Sequence, residues 1–423
     1  MPEQKFVIRG GKSLKGEIEV RGAKNAATPI LAACLLTDEP CEVDNLPLIE
    51  DVFRMIEILQ SIGVKVEWLN ERQVRLCAKN IAPEKIDQRK VCQMRSSILT
   101  LGALLAREGD FKITHPGGCI IGSRPVDTHF EALRQLGAEI EQEENFYIIK
   151  RTRNFFDKST KRIVLREFSV TATENLMMAA VLGAGKISVS IAAAESHVTE
   201  LAVFLKKMGA RIKGSGTHNL EITRVKNLHG ARHKLMPDPI EGGTFIIAAA
   251  ATRGRVKVKN ILSAHLDLFL EKLKEMAVNF EIKKNIVEVA PTARLKAVKI
   301  QTLPYPGIPT DLQAPLAVLC TQAEGTSLIH DPLYEGRFKY INELVKMGAD
   351  AKILDPHRAI ITGPTPLYGK EITSFDLRAG ATLIIAALVA EGESQISDIY
   401  QVDRGYEKIE ERLQRIGADI RRV

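Results

Sequence analysis

The stretch Leu133–Gln142 reads LRQLGAEIEQ, and its pattern of helix end, small residue and alternating strand occurs six times along the chain. A glycine directly after the last helical residue adopts the left-handed conformation that ends many helices, and alternation of apolar and polar residues is typical of a strand. A fixed period of this kind indicates internal repetition. The small residues are spaced by 68 to 74 positions and are Gly63, Gly137, Gly209, Ala277, Gly348 and Gly417.

A second type of helix accompanies each copy and is apolar on every side, which indicates a helix that is buried all round. Each repeat is therefore predicted to contain a buried helix, strands, an amphipathic helix and a further strand. Three buried helices walled by sheets and surface helices make one domain, so six repeats predict two domains of an α/β chain. The six apolar segments begin near Lys24, Arg95, Thr173, Thr244, Asp311 and Arg378.

The composition is that of an ordinary soluble protein, since 45% of the 423 residues are hydrophobic and 26% are charged. The net charge is +7, but aromatic residues are 5% and the lysines are scattered, so we expect no nucleic-acid partner. We also expect no secretion signal and no membrane span. The six cysteines form no CxxC or CxxH pair, which predicts no metal site and free thiols in a reducing cytoplasm. Cys34 and Cys320 lie in apolar helices and are predicted core residues.

A glycine-rich loop surrounds Cys119 within the stretch HPGGCIIGSRPVDTH, residues 115–129. Its glycines permit a tight turn and the close approach of a ligand to the backbone. Arg124 and a predicted helix N-terminus follow closely, and both features favour the reactive thiolate. We therefore predict that Cys119 is a reactive thiol, with a cysteine in an ordinary glycine-rich turn as the alternative.

Charged residues stand at several predicted helix starts. Lys24, Arg95 and Arg378 begin buried helices, whereas Arg124 and Arg404 begin amphipathic ones. A helix N-terminus carries partial positive charge, so a cation there costs stability unless an anion lies nearby. One such cation is a solvated helix end, but cations from several repeats predict a cleft that binds phosphate and carboxylate groups.

Five motifs in order resemble those of the UDP-N-acetylglucosamine 1-carboxyvinyltransferases, a family of enolpyruvyl transferases; they are RGAKNAATPILAA, PGGCIIGSRPVDTH, PTDLQA, FDLRAG and DRGYEKIEERL. The resemblance implies an inside-out α/β barrel of two similar domains, each with three repeats and buried central helices, that bind the substrates between them. It assigns residues 22–236, with the Cys119 loop, to one domain and residues 1–21 with 237–423 to the other.

The reaction that this resemblance implies moves the enolpyruvyl group of phosphoenolpyruvate to the 3′-hydroxyl of UDP-N-acetylglucosamine and releases phosphate. It is the first committed step of peptidoglycan precursor synthesis, takes place in the cytoplasm and needs no cofactor. Fosfomycin, an epoxide that resembles phosphoenolpyruvate, is expected to alkylate the loop cysteine. The resemblance says nothing about the oligomeric state.

Individual roles also follow from the resemblance. Cys119 is implied as the proton donor, which can also hold the pyruvyl carbon covalently, and Asp311 as the carboxylate base beside the sugar hydroxyl. Lys24, Asn25, Arg124 and Arg404 are implied for phosphoenolpyruvate, with Lys24 and Arg404 also catalytic. Asp376 and Arg378 are implied to close the cleft. The residues implied for the UDP-sugar are Asn25, Arg95, Arg124, Pro125, Val126, Asp127, Ser169, Val170, Asp311 and Leu333.

The chain departs from the family pattern mainly on the acceptor side. Thr171 stands where the family has a glycine against the nucleotide, and Glu50 stands where it has a basic residue. Ala194 and Ser196 replace an arginine and a proline, and Pro239 replaces an arginine. Two alternatives therefore stay open: an enolpyruvyl transferase acting on another UDP-sugar or a nucleoside, and a catalytically silent regulator that binds a UDP-sugar.

Overall fold

The computed structural model describes residues 4–117, 126–183 and 185–423, and these form two compact units. The first unit contains residues 22–117, 126–183 and 185–236. The second unit contains residues 4–21 and 237–423. In both units helices alternate with short strands along the chain, as in an α/β protein.

Three helices of the first unit are buried along nearly their whole length and pack together: Lys24–Ala33, Thr100–Arg107 and Val170–Ala180. Their alanine side chains are small enough to let the helices approach closely, and leucine and methionine fill the space between them. Three amphipathic helices turn their apolar faces toward this group; they are Glu50–Ser61, Asp127–Leu136 and Ser196–Lys207.

Three sheets of the first unit are found in its described residues. The first has the order Arg232–Lys234, Cys41–Asp44, Gln73–Cys77 and Lys65–Asn70. The second has the order Phe111–Thr114, Phe146–Arg151 and Ala138–Gln142. The third has the order Arg211–Lys213, Asn219–Thr223, Lys186–Ser190 and Thr160–Val164.

The second unit has the same kinds of element. Its buried helices are Pro239–Ala251, Thr310–Thr321 and Leu377–Val389, and its amphipathic helices are Asp267–Glu275, Lys339–Lys346 and Ile409–Gln414. Shorter helical segments occur in both units; they are Cys34–Leu36, Pro83–Lys85, Gln88–Val91, Arg95–Leu99, Arg153–Phe156, Ser263–His265 and Tyr400–Asp403.

The described part of the second unit also contains three sheets. One has the order Phe280–Lys283, Ile286–Val289, Arg255–Lys259 and Lys15–Glu19. Another has the order Leu295–Lys296, Ala323–His330, Arg358–Gly363 and Asp350–Asp355, with Lys299–Gln301 also paired to the second strand. In the last, Phe6–Arg9 lies between Glu393–Ser397 and Asp419–Arg422, and Glu371–Thr373 forms the edge.

The predicted helix ends are confirmed at all six small residues, because each has a positive φ. The five glycines reach φ values from 95° to 118°, and Ala277 adopts 62°. A residue with a Cβ pays roughly 1–2 kcal/mol for this conformation, which explains why glycine occupies the other five positions.

The predicted starts of two buried helices are wrong by several residues. The helix expected from Thr244 begins at Pro239, where the Asp238 side chain accepts hydrogen bonds from the N–H groups of Ile240 and Glu241. The helix expected from Thr173 begins at Val170. In both cases a polar cap extends the helix beyond the apolar run, since a capping side chain satisfies backbone donors that the apolar pattern does not reveal.

Cys34 and Cys320 are confirmed as core residues, with 2% and 0% of their surface exposed. Burial raises the pKa of Cys320 to about 12, so this thiol stays protonated. The pKa of Cys34 is also raised well above its ordinary value, first by a hydrogen bond with Cys41 and then by burial. These two cysteines therefore lack thiolate reactivity.

Candidate active site

The backbone just before the Cys119 loop leaves no room for a side chain at Gly117. A Cβ at Gly117 would collide with the carbonyl oxygen of Cys92, so only glycine fits at this position. Cys119, Arg124 and Pro125 themselves lie outside the described residues, and their roles stay predictions. Beyond the loop, Val126 precedes the helix Asp127–Leu136, which begins at Asp127.

Lys24 is the first residue of its buried helix, and its Nζ lies 2.8 Å from Oδ2 of Asp51. Asp51 belongs to the first turn of Glu50–Ser61 and is almost fully buried. We call these two residues the Lys24 pair. The carboxylate offsets part of the cost of an ammonium group at a positive helix end, so a bound anion is not the only compensation. Asn25 follows Lys24 in the same turn.

Tyr147 interacts electrostatically with Arg95 and Asp127, two of the residues implied for the nucleotide. Its pKa is raised, first by burial and also by Asp127, while Arg95 acts in the opposite direction. Its hydroxyl lies 2.8 Å from Nδ1 of His115. The first unit therefore brings Arg95, Asp127 and His115 into the surroundings of one phenol. The sequence carries no local sign of this role for Tyr147, which lies within an ordinary alternating strand.

Thr171 has a partner inside the first unit: its Oγ1 lies 2.7 Å from Nε2 of His129. Beside this contact, Oγ1 of Thr128 donates to Oε1 of Glu167 at 2.9 Å. Ser169 caps the helix that Val170 begins, through a 3.4 Å bond from the N–H of Ala172. The two hydroxyl contacts therefore tie the start of Asp127–Leu136 to the segment that leads into Val170–Ala180.

The other departures lie at helix starts or in the core. Glu50 begins the helix Glu50–Ser61 and lies 3.8 Å from the guanidinium of Arg54, one turn later. Ser196 begins the helix Ser196–Lys207, and Ala194 is buried just before it. Pro239 is the first residue of its helix, a position where the fixed φ of proline suits helix initiation.

Asp311 is held by two arginines, and we call these three residues the Asp311 cluster. Nη2 of Arg337 lies 2.6 Å from Oδ1, and Nε of Arg378 lies 3.0 Å from Oδ2. Both arginines are at least nine-tenths buried. Burial lowers the pKa of each guanidinium, but facing acidic groups outweigh it and both pKa values are raised. Both guanidinium groups therefore stay charged, and each pairs with one oxygen of Asp311.

Two further predicted residues lie close to this cluster in the second unit. Asp376 caps Leu377–Val389 by accepting from the N–H groups of Arg378 and Ala379, at 2.8 and 3.0 Å. The N–H of Leu333 donates to Oδ1 of Asp331, whose Oδ2 accepts from Thr310 at 2.5 Å. Because Thr310 begins the helix that carries Asp311, the exposed Leu333 is held near the same helix end.

The prediction that Arg404 begins an amphipathic helix is wrong, because Arg404 follows the short helix Tyr400–Asp403 and the amphipathic helix begins only at Ile409. Arg404 is 6% exposed. Its Nη1 donates to Oε1 of Gln401 at 3.2 Å. The preceding Asp403 is held by both terminal nitrogens of Arg422, at 2.9 and 2.7 Å. The last strand therefore anchors the segment that presents Arg404. No motif in the sequence singles out Arg422.

Among residues 4–117, 126–183 and 185–423, no group of three or more histidine, cysteine or acidic side chains is placed to hold a metal ion. In the same parts of the chain, every helix is too short or too polar to cross a membrane.

Comparisons with known proteins agree on one family. The family profile described as EPSP synthase (3-phosphoshikimate 1-carboxyvinyltransferase) matches residues 8–413. A UDP-N-acetylglucosamine 1-carboxyvinyltransferase of Koribacter versatilis is 46% identical, over 99% of this chain and 96% of the relative. A protein of the same name from Halothermothrix orenii is 45% identical, over 99% of both chains.

Solved structures share the fold at lower identity. The enolpyruvyl transferase NikO from Streptomyces tendae has a TM-score of 0.89 at 22% identity and covers 100% of this chain and 99% of its own. An EPSP synthase from Acinetobacter baumannii has a TM-score of 0.76 at 20% identity and covers 99% of this chain and 100% of its own. Fold and sequence thus agree: the chain belongs to the EPSP synthase family, and within it to the UDP-N-acetylglucosamine 1-carboxyvinyltransferases.

Proposed function

We propose that this chain transfers the enolpyruvyl group of phosphoenolpyruvate to the 3′-hydroxyl of UDP-N-acetylglucosamine and releases phosphate. The observation that carries the proposal is the identity of 45–46%, over 99% of the chain, to two relatives of that name. The charged groups support it, since the reaction needs cations for phosphate and carboxylate and a carboxylate near the acceptor hydroxyl.

The reaction has two stages, addition and elimination. In the addition, the 3′-oxygen bonds to C2 of phosphoenolpyruvate while a proton is added to C3. Asp311 takes the proton of the attacking hydroxyl, and Arg337 and Arg378 fix the orientation of its two oxygens. Cys119 delivers the proton to C3. In the elimination, C3 loses a proton to the thiolate that the addition leaves on Cys119, the bond from C2 to the phosphate oxygen breaks, and phosphate leaves.

Substrate binding uses the cations and the apolar side chain already described. Lys24, Arg124 and Arg404 bind the phosphate and carboxylate of phosphoenolpyruvate, and Asn25 contacts both substrates. Lys24 is held by Asp51 at 2.8 Å, so it binds an anion by sharing or leaving this carboxylate. The remaining residues of the UDP-sugar site, Leu333 for the uracil among them, and closure by Asp376 and Arg378 belong to the same proposal.

The finer architecture is part of the proposal. Residues 22–236 form one enolpyruvyl transferase domain and residues 1–21 with 237–423 the other, each an inside-out α/β barrel of three repeats. Support comes from three buried helices and three sheets in the described residues of each unit. The reaction takes place in the cytoplasm without a cofactor and begins peptidoglycan precursor synthesis, which links it to cell-wall biogenesis, cell shape and division.

The test is phosphate release from phosphoenolpyruvate by the purified full-length protein. UDP-N-acetylglucosamine is expected to give the highest kcat/KM in a series of UDP-sugars and uridine nucleosides. A much higher value with another acceptor would replace it in the proposal. Binding of UDP-N-acetylglucosamine without phosphate release in any of these mixtures would indicate a silent regulator.

Fosfomycin tests the role of Cys119 separately. Intact mass is expected to show one adduct on Cys119, formed faster when UDP-N-acetylglucosamine is present. Cys119→Asp should lose the adduct and keep some turnover, because a carboxylic acid also delivers a proton, whereas Cys119→Ser should lose nearly all turnover. An adduct on Cys92 or Cys34, with Cys119 free, would refute the assignment.

A further inference from the structure

A cationic depression lies on the surface of the second unit, around one end of the strand Lys15–Glu19. It has a volume of about 790 Å³, within the range of small-molecule sites. Its charged lining consists of Lys15, Arg253, Arg255, Lys257 and Glu17. All five side chains are exposed, and the formal balance of four cations against one carboxylate is +3.

The charges follow the pairing of two parallel strands. In the register of Lys15–Glu19 with Arg255–Lys259, Glu17 stands opposite Lys257 and Glu19 opposite Lys259. In each of these pairs a glutamate faces a lysine. The Nζ atoms of Lys257 and Lys259 lie 3.6 and 2.7 Å from carboxylate oxygens of Glu17. The third charged pair of this register consists of two cations, because Lys15 stands opposite Arg255.

This arrangement is unusual within the molecule. Across all strand registers of the described residues, Lys15 and Arg255 are the only lysine or arginine side chains directly opposite each other. Like charges in this position destabilise a sheet. The sheet therefore carries a local repulsion that a bound anion would relieve.

No protein carboxylate relieves that repulsion, because Lys15, Arg253 and Arg255 form no ion pair within residues 4–117, 126–183 and 185–423. Arg253 alone has another explanation. It follows Thr252 at the C-terminal end of Pro239–Ala251, where a cation interacts favourably with the helix dipole. Lys15 and Arg255 lie in strands and gain nothing from a helix end.

We propose that this depression binds a small soluble molecule with at least two phosphate groups. Guanidinium groups match the geometry of phosphate oxygens, and two arginines with one lysine supply charge for more than one phosphate. Neighbouring strands are about 4.8 Å apart, so Lys15 and Arg255 reach adjacent groups of one ligand. Ser13 adds a hydroxyl donor to the same wall. The proposal is independent of the transferase reaction.

The test measures binding of inorganic tripolyphosphate to the full-length protein by isothermal titration calorimetry at low ionic strength. We expect one site that persists when UDP-N-acetylglucosamine is saturating. Lys15→Gln combined with Arg255→Gln should weaken binding at least tenfold. The control Lys259→Gln removes a neighbouring cation that is paired with Glu17, and it should change binding less than twofold.

Thermal unfolding shows whether the variants remain folded. The double variant is expected to unfold at the same temperature as the wild type or slightly higher, because it removes the repulsion. Equal weakening by the control variant would refute the site, since it would indicate general attraction to a basic protein. Loss of all tripolyphosphate binding when UDP-N-acetylglucosamine is saturating would also refute it. Binding of phosphatidylglycerol vesicles without binding of tripolyphosphate would overturn it in favour of a membrane surface.

Tripolyphosphate and vesicle experiments both measure binding rather than turnover. The transferase proposal and this one can therefore be refuted independently of each other. A protein without phosphate release, or one that does not bind UDP-N-acetylglucosamine, still allows the comparison of the double variant with Lys259→Gln. A protein with full turnover and no tripolyphosphate site retains the transferase function and loses only the second site.

Discussion

The Lys24 pair and the Asp311 cluster place charges at the same kind of position with opposite sign. Each lies in the first turn of a buried helix. In the first unit the helix carries the cation, and one carboxylate comes from the helix that follows. In the second unit the helix carries the carboxylate, and two guanidinium groups approach it from elsewhere in the chain.

The helix dipole stabilises the charge in one of these arrangements and destabilises it in the other. A carboxylate is stabilised at a helix N-terminus and a cation is destabilised there, by about 0.3–1 kcal/mol. Asp311 therefore gains from the helix and from both arginines, whereas Lys24 has Asp51 to offset an unfavourable helix end. The comparison indicates a fixed carboxylate in the second unit and an exchangeable cation in the first.

Removing the charge of Asp311 should have the largest effect. Asp311→Asn is expected to lower kcat/KM by roughly 10²–10⁴-fold, the usual contribution of a general base. It should also lower stability by about 3 kcal/mol, since two buried guanidinium groups lose their shared partner. Steady-state phosphate release and urea unfolding measure the two effects.

Asp355→Asn is the matched control, because Asp355 forms a 2.6 Å ion pair with Arg358 at the protein surface. Surface ion pairs contribute about 1 kcal/mol or less, so this variant should unfold and turn over nearly as the wild type does. A wild-type kcat/KM in Asp311→Asn would place the base elsewhere.

The exchangeable cation predicts a smaller effect. Lys24→Gln should weaken use of phosphoenolpyruvate by about 10–150-fold, the equivalent of a charge-assisted hydrogen bond of roughly 1.5–3 kcal/mol. It also leaves the buried Asp51 without this ammonium group and should lower stability. KM for phosphoenolpyruvate and the urea midpoint measure the two effects.

A double variant separates the structural role of Lys24 from its binding role. Lys24→Gln with Asp51→Asn should recover stability but not the use of phosphoenolpyruvate, because the second substitution removes the carboxylate that loses this ammonium group. Recovery of both would show that Lys24 acts only by holding Asp51, and the idea of an exchangeable cation would fail.

The local features of the fold could be predicted from the sequence because their causes are local. Five of the six helix ends follow from the backbone freedom of glycine, and the buried helices follow from apolar side chains on every face. The start of the helix at Pro239 could not be found from apolar residues, since it depends on the capping carboxylate of Asp238.

The partners of the charged residues could not be predicted in the same way. Arg337 and Arg378 lie 26 and 67 positions from Asp311 in the sequence, and no periodicity relates them to its two oxygens. Asp51 comes from a different helix than Lys24, and Tyr147 from a strand. Motifs predict which residues take part in the reaction, but the contacts between them depend on tertiary packing.

A substitution at Thr171 in the first unit is expected to have a smaller effect on kinetics than those at Asp311 and Lys24. Thr171→Val keeps the shape but removes the hydroxyl that lies 2.7 Å from His129. A neutral hydrogen bond contributes about 0.5–1.5 kcal/mol, so KM for the UDP-sugar should rise about 2–12-fold with little change in kcat. Thr171→Ser keeps the hydroxyl and should restore KM. Equal KM values for all three proteins would show that this contact does not support acceptor binding.

Glu174 completes the comparison, as a buried carboxyl group that forms no ion pair within residues 4–117, 126–183 and 185–423. It is 1% exposed, and burial followed by Glu195 raises its pKa well above 4.5. A carboxyl group with a raised folded pKa binds its proton more tightly when folded, so its stabilising effect is complete below about pH 4.5 and is lost as pH rises through the folded pKa. The urea midpoint of the wild type should therefore fall with rising pH, by at most about 1.4 kcal/mol of stability per pH unit from this group.

Glu174→Gln keeps the shape and does not titrate, so its midpoint should fall less between pH 5 and pH 8, with unchanged kcat. Glu143→Gln, at an exposed pair with Lys112, should leave the slope as it is. Equal slopes in Glu174→Gln and the wild type would mean that Glu174 is ionised throughout, against the physical reason given by its burial.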